Sequence, residues 1–244
     1  LTNPNNQVDF KELHKTVPGA DLLANLFEIH DYKASLSTAC STAANAILLG
    51  GRLIKAGIVD RVLAGGAEEI NNYNICGFDS LMLYDPDKCK PFDQERQGLN
   101  LGEAGAFLVL ENEKAMIESE ANRIAKLTGW ANTCDAYHIT ASSPDGEGAR
   151  LAMERTLQMA SLQPGDIDYI NAHGTGTANN DLSESLAIQN LFGEKAPPFG
   201  STKCFTGHTL AAAGGVEAVY SLLTLKYRTI FPNLRFNKPI PEMA

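Results

Sequence analysis

Residues 36–53 read LSTACSTAANAILLGGRL, with Cys40 between small hydroxyl residues at the head of a run of small and apolar side chains. Ala43, Ala44, Ile47, Leu48, Gly51 and Ile54 recur at helical spacing, which predicts a helix over residues 41–55 with Gly57 placed to end it. A cysteine at a helix N-terminus meets unpaired N–H groups and a partial positive charge, and both lower its pKa. Ala43, Ala44 and Gly51 would let the helix pack closely beneath the thiol. Cys40 is thus a candidate nucleophile, and a buried structural cysteine is the alternative. The motif STAC (37–40) is echoed by STKC (201–204), which also precedes a small-residue helix and is followed by His208. This echo suggests a duplicated unit in which each copy delivers a site residue from the turn before its last helix.

Outward from this stretch, RVLAGGAEE (61–69) and residues 104–110 read as strands, and a short polar helix follows the second. Helical spacing of Leu22, Leu23, Leu26, Phe27 and Ile29 marks an earlier helix, with a short strand expected near residues 33–36. Residues 123–134 and 167–172 read as strands, and residues 147–160, 181–192 and the run from Leu210 as helices. Turn formers dominate residues 71–100, where YDPDKCKPFDQERQG (84–98) reads as a surface loop bordering a site. Strands alternating with helices predict an α/β fold with both sheet faces covered.

With 244 residues and 44% apolar content, the chain can fill a sizeable core. Its formal charge of −9, with no block of basic residues, disfavours nucleic acid and anionic lipid as partners. The greasy run 210–225 is interrupted by Glu217 and is too short to span a bilayer. Five cysteines without a Cys-x-x-Cys pair argue for reduced thiols in the cytoplasm and against a metal site.

Two further segments carry candidate chemistry. NAHGTGT (171–177) puts His173 at a strand end, followed by glycines that admit a close ligand and by hydroxyls that can bond it. It lacks the Gly-Lys-Ser/Thr ending of a phosphate-binding loop, and a structural histidine is the alternative. STKCFTGHTLAAAGG (201–215) places Lys203 and His208 ahead of an apolar helix containing Glu217. A carboxylate in such a helix needs a counter-ion, for which Lys203 is the candidate; exposed positions for both are the alternative.

Together, TACSTA (38–43), VLAGGAEE (62–69), KPFDQERQGLNLGEAGAFLVLE (90–111), CDAYHIT (134–140), INAHGTGTANND (170–181) and STKCFTGHTLAAAGGVEA (201–218) resemble the β-ketoacyl-(acyl carrier protein) synthases. These condensing enzymes belong to the thiolase-like superfamily, and the likeness is nearest to the elongating enzymes of type II fatty acid synthesis. The resemblance implies a layered α-β-α-β-α duplicated fold. Residues 1–112 would form the later part of the N-terminal half, with Cys40, and residues 113–244 most of the C-terminal half, with His173 and His208. Cys40 would be the acyl acceptor, His173 and His208 the pair acting on the malonyl unit, and Lys203 and Glu217 their supporting pair. Thr175 and Thr177 would contact the phosphopantetheine arm.

The implied partners are acyl carrier protein and a second subunit, in a homodimer or a heterodimer with a related chain. No cofactor is implied beyond the carrier's own phosphopantetheine. Arg52, Lys55 and Arg150 are candidates for a basic docking patch. The family's first strands and its Gly-Phe-Gly-Gly loop have no counterpart in these residues, so the fold is expected to be incomplete in this chain. The alternatives are a ketosynthase of polyketide or aryl-polyene assembly, or a non-catalytic partner resembling a chain-length factor.

Overall fold

The helical spacing near the start of the chain becomes α1 (Thr16–Leu26). The computed structural model describes residues 16–120 and 122–243. The described residues divide into two compact units, one ending at Ser37 and the other beginning at Thr38. In the first, Lys33 pairs with Asp21 at 2.7 Å across an exposed surface. The strand expected at residues 33–36 is irregular backbone. An extended pattern becomes a strand only when a neighbour takes up its N–H and C=O groups, and no ladder partner exists for it among the described residues.

The second unit is built around α2 (Thr42–Lys55), β1 (Arg61–Glu68), β2 (Ala104–Glu111) and α8 (Ala213–Tyr227). β1 and β2 pair antiparallel from Arg61 opposite Glu111 to Glu68 opposite Ala104. Both helices lie on the sheet face that carries Val62, Ala64, Gly66, Ala106 and Leu110. A Cβ on Gly50 of α2 would sit 3.0 Å from Leu110 and 3.1 Å from Val62; one on Gly215 of α8 would sit 2.8 Å from the Ala106 carbonyl. On the opposite face Phe107 and Val109 are 38% and 60% exposed. Only one face is therefore covered among the described residues, because the small-residue stripes of α2 and α8 both fit the same side.

The two helices also touch each other. A Cβ on Gly214 would lie 2.7 Å from both the Cβ and the backbone N of Ala44, so α8 rests backbone-to-backbone on the first turn of α2. Ala43 is completely buried at this junction. Gly51, expected beneath the thiol, instead faces Trp130, whose ring would stand 3.0 Å from an added Cβ. The segment 123–134 that carries Trp130 is irregular backbone, so the strand expected there does not form.

The remaining elements frame this core. α3 (Asn72–Ser80), within the expected loop, is capped by the Asn71 side chain accepting from Asn74 N at 3.0 Å. α4 (Glu113–Glu118) follows β2, and α5 (Glu147–Ala160) packs with α6 (Ala178–Phe192). α6 starts three residues earlier than expected. Strand character in 167–172 shrinks to β3 (Ile170–Asn171), parallel to β4 (Phe199–Gly200), which leads into the single turn α7 (Lys203–Thr206). No helix among the described residues is long and apolar enough to cross a membrane.

The loop 84–98 is only partly a surface feature: Pro86, Asp87, Lys88, Gln94, Glu95 and Gln97 are exposed, but Cys89, Phe92 and Asp93 are 2%, 3% and 0% exposed. Burial pushes the Asp93 carboxyl up, but the N–H groups of Asn237, Lys238 and Glu95 outweigh it and hold the group below its ordinary range. Turn-rich sequence marked the loop correctly; the backbone partners that bury it lie more than a hundred residues away.

The α2–α8 contact makes opposite forecasts for two glycines. Gly214→Val should destabilise the protein by roughly 1–3 kcal/mol because the Ala44 backbone cannot yield. Gly77→Ala in α3, with nothing within 4 Å of its added Cβ, should stabilise by up to about 1 kcal/mol. Urea midpoints at unchanged slope would test both signs.

Candidate active site

Cys40 sits in a tight turn ahead of α2 that its own hydroxyl neighbours brace. Thr42 Oγ1 accepts from Thr38 N at 2.9 Å and donates to Ala39 O at 2.7 Å, while Ser41 Oγ donates to Thr38 O at 2.8 Å. Ala39 is held at φ +51°, a strained value for alanine that persists only where its surroundings impose it. This bracing explains why small hydroxyl residues flank the cysteine: they fix the direction of the sulfur.

The sulfur meets His208. Cys40 Sγ lies 3.0 Å from His208 Nε2, and that imidazole is 2% exposed. His208 is set by its backbone N–H donating to Asn100 O at 2.7 Å and by Leu210 N–H donating to its Nδ1 at 3.2 Å. The His173 ring stands 5.1 Å from it, centroid to centroid, at 85°. The Cys40 sulfur and one nitrogen of each imidazole all lie within 4.8 Å of one another.

Lys203 binds the centre together from behind. Its Nζ donates to His173 O at 2.6 Å, lies 3.2 Å from His173 Nδ1, and is ion-paired with Glu217 of α8. An ammonium has no lone pair, so a neutral His173 can meet it only as an acceptor at Nδ1, which leaves the proton on Nε2. Leu210 imposes the same tautomer on His208. Both rings therefore offer N–H groups, an arrangement suited to a developing oxyanion. A soft divalent metal would need the corresponding lone pairs, so the donor set fits hydrogen bonding better than ligation.

Burial and then the Lys203 charge bring His208 down to about 3; burial, Lys203 and His208 hold His173 well below its ordinary value. Both imidazoles are neutral near pH 7. Burial also raises the Cys40 thiol, and Lys203 offsets this only in part. The lowering expected from the helix N-terminus is thus overridden: Cys40 precedes the first turn by two residues, and desolvation of the sulfur dominates.

Thr175 and Thr177 are buried in the loop after β3, with their hydroxyls 2.8 Å apart and bonded to each other. No hydrogen bond ties them to Cys40 or to the imidazoles. Sequence reading missed the two carboxylates that shape this loop. Glu184 accepts from His173 N at 2.7 Å and Gly174 N at 2.8 Å; Asp181 accepts from Phe92 N at 2.7 Å and Gly176 N at 3.1 Å. Burial pushes Glu184 up to about 7 and also raises the fully buried Asp181. Their signal was two acids three residues apart on a helix that opens under a glycine loop rich in free N–H groups. Arg150, a candidate for carrier docking, is engaged by Glu147 at 2.7 Å and Glu154 at 3.3 Å.

Two family models match the chain: the β-ketoacyl synthase N-terminal domain over residues 12–115 and the C-terminal domain over residues 124–237. The chain belongs to the β-ketoacyl synthase family. Within that family it is 39% identical over 213 residues to 3-oxoacyl-[acyl-carrier-protein] synthase 2 of Staphylococcus aureus, covering 84% of this chain and 53% of that one. The chain thus spans about half the length of the curated relatives it matches. A ketosynthase in complex with its chain length factor from Xenorhabdus doucetiae superposes with a TM-score of 0.84 at 39% identity, over 93% of this chain and 55% of that one. A type II polyketide ketosynthase bound to its acyl-carrier protein superposes at 0.91 with 28% identity, over 100% of this chain and 62% of that one. The fold is the thiolase-like layered α/β arrangement of these ketosynthases.

Two measurements check the electrostatics. Carbamidomethylation of Cys40 should quicken about tenfold per unit between about pH 7 and 9; a plateau below about pH 8 would reveal a preformed thiolate. The native His208 stays neutral down to about 3 while the unfolded one protonates near 6.5. Its contribution is therefore present above 6.5 and lost as pH falls to about 3. Relative to His208→Asn, the protein should lose up to about 1.4 kcal/mol of stability per unit across that window, read by urea unfolding.

Proposed function

We infer that the chain carries the condensing centre of a 3-oxoacyl-[acyl carrier protein] synthase acting in fatty acid chain elongation. The observation that carries this reading is the sulfur of Cys40 at 3.0 Å from His208, beside two imidazoles both held as N–H donors. The thiol of Cys40 attacks an acyl thioester on the carrier protein; its proton ends on the departing phosphopantetheine thiol, and the acyl group stays on Sγ. Malonyl carrier protein then enters. His173 and His208 donate Nε2–H bonds to its thioester oxygen as carbon dioxide leaves, stabilising the enolate. The enolate carbon attacks the acyl-Cys40 carbonyl, releasing the 3-oxoacyl carrier product and a Cys40 thiolate that takes a proton from water.

Lys203 and Glu217 serve this chemistry by keeping the imidazoles neutral and oriented. An open groove of about 400 Å³, lined by Ala39, Phe78, Leu81, Leu83 and Ile139 among others, begins one residue from the nucleophile and suits an acyl thioester. In this reading residues 1–112 and 113–244 belong to the two duplicated halves, and Thr175 and Thr177 face the phosphopantetheine arm. The protein works in the cytoplasm as a homodimer or with a related subunit, in keeping with five free cysteines. The likeness to polyketide and chain-length-factor-associated ketosynthases supports polyketide or aryl-polyene assembly as a second reading, with the same mechanism and a different acyl chain. Retention of Cys40 and both histidines speaks against a non-catalytic partner.

Intact-mass analysis with acyl and malonyl carrier proteins tests the assignment. Cys40→Ala should take up no acyl group. His173→Ala, whose ring makes no hydrogen bond to Sγ, should still be acylated yet release no 3-oxoacyl product. Acylation of the Cys40→Ala protein would overturn the assignment.

A further inference from the structure

The segment after α8 returns behind the catalytic loops and grips them through backbone groups. Asn233 Nδ2 donates to Pro91 O at 2.6 Å, and its Oδ1 accepts from Ser201 N at 3.3 Å. Asp93 accepts from Asn237 N and Lys238 N, and Ile240 is fully buried. At the centre is Arg235, held at φ +62°, a backbone conformation uncommon for a residue with a side chain. Its Nε and Nη2 donate to Cys89 O at 3.2 and 3.1 Å, and Nη2 also donates to Cys204 O at 2.6 Å.

Those two carbonyls flank Lys203. Cys204 is the next residue, and Cys89 Sγ donates to Lys203 O at 3.4 Å. The Cys89 loop is also tied to the histidine side: Cys89 N donates to Asn100 Oδ1 at 2.7 Å, and Asn100 O accepts from His208 N at 2.7 Å. α7 is one turn of four residues and cannot hold its own position by helical bonds alone. A planar guanidinium, with donors in a fixed fork, can set the spacing of two carbonyls; a flexible ammonium cannot.

We propose that Arg235 is a positioning residue of the condensing centre: by bridging the Cys89 and Cys204 carbonyls it holds Lys203 Nζ against His173 Nδ1. The His173 Nε2–H donor then depends on a residue that touches no reacting atom. This rests on the reaction assigned above, and loss of the bridge would weaken enolate formation while sparing acyl transfer to Cys40. A displacement of about an ångström is enough to cost around a hundredfold in a positioned reaction.

The test compares Arg235→Lys and Arg235→Gln with the unaltered protein, using octanoyl and malonyl thioesters of acyl carrier protein. Both variants should acylate Cys40 within about twofold of the parent rate and condense roughly ten- to a hundredfold more slowly, and the lysine should give no rescue. In ¹⁵N-histidine-labelled protein, the His173 Nδ1 resonance should move in both variants. The His208 Nδ1 resonance, held by Leu210 N–H and linked to the Cys89 loop only through Asn100, should move less than that of His173. Both half-reactions falling together, His208 moving as far as His173, or an unmoved His173 would each overturn the proposal. If the parent protein accepts no acyl group, the assigned reaction fails, and the nitrogen resonances alone still decide the role of Arg235.

Discussion

The site depends on how closely two helices approach. Gly214 presents no side chain to Ala44, so α8 lies directly on the first turn of α2. The turn before α2 holds Cys40 and the loop before α8 holds His208, 168 residues further along the chain. Adding even a methyl group between the helices would part the sulfur from the imidazole. Hydrophobic burial supplies the force at this contact, but small residues supply the geometry, since only bare backbones can approach so closely.

Around this contact one cation organises the polar groups. The Lys203 side chain is only 2% exposed, yet it is not left uncompensated: Glu217 supplies the opposite charge, and the His173 carbonyl and ring nitrogen take its hydrogen bonds. A buried ion pair is weak support for stability in general. Here its value is orientation and field. The ammonium denies a second positive charge to either ring and fixes the His173 tautomer as Leu210 N–H fixes that of His208, so both rings keep an Nε2–H to donate.

Carboxylates play the corresponding part for the backbone. Glu184 and Asp181 gather the N–H groups of the loop after β3, and Asp93 gathers those of the C-terminal segment. Loops that would otherwise fray are tied to α6 and to one another, so the histidines project from short, irregular segments with the precision of longer elements. The raised Cys40 thiol belongs to the same scheme. A desolvated, crowded centre cannot favour a free thiolate, but it strengthens the hydrogen bonds made within it.

Much of this was legible in the linear sequence. The small-residue periodicity of residues 42–55, the STAC turn with Cys40, His173 in NAHGTGT, and the spacing of Lys203, His208 and Glu217 after STKC marked the central helices and five candidate residues, because local pattern reports local conformation. Tertiary structure alone decided the rest. Residues 33–36 and 123–134 have strand-like pattern without a strand, since pairing needs a neighbour. The turn-rich loop at 84–98 buries Cys89, Phe92 and Asp93 because distant N–H groups and carboxylates meet it there. The thiol of Cys40 is raised, not lowered, because desolvation acts through everything packed around the sulfur, and no stretch of sequence records what will surround it.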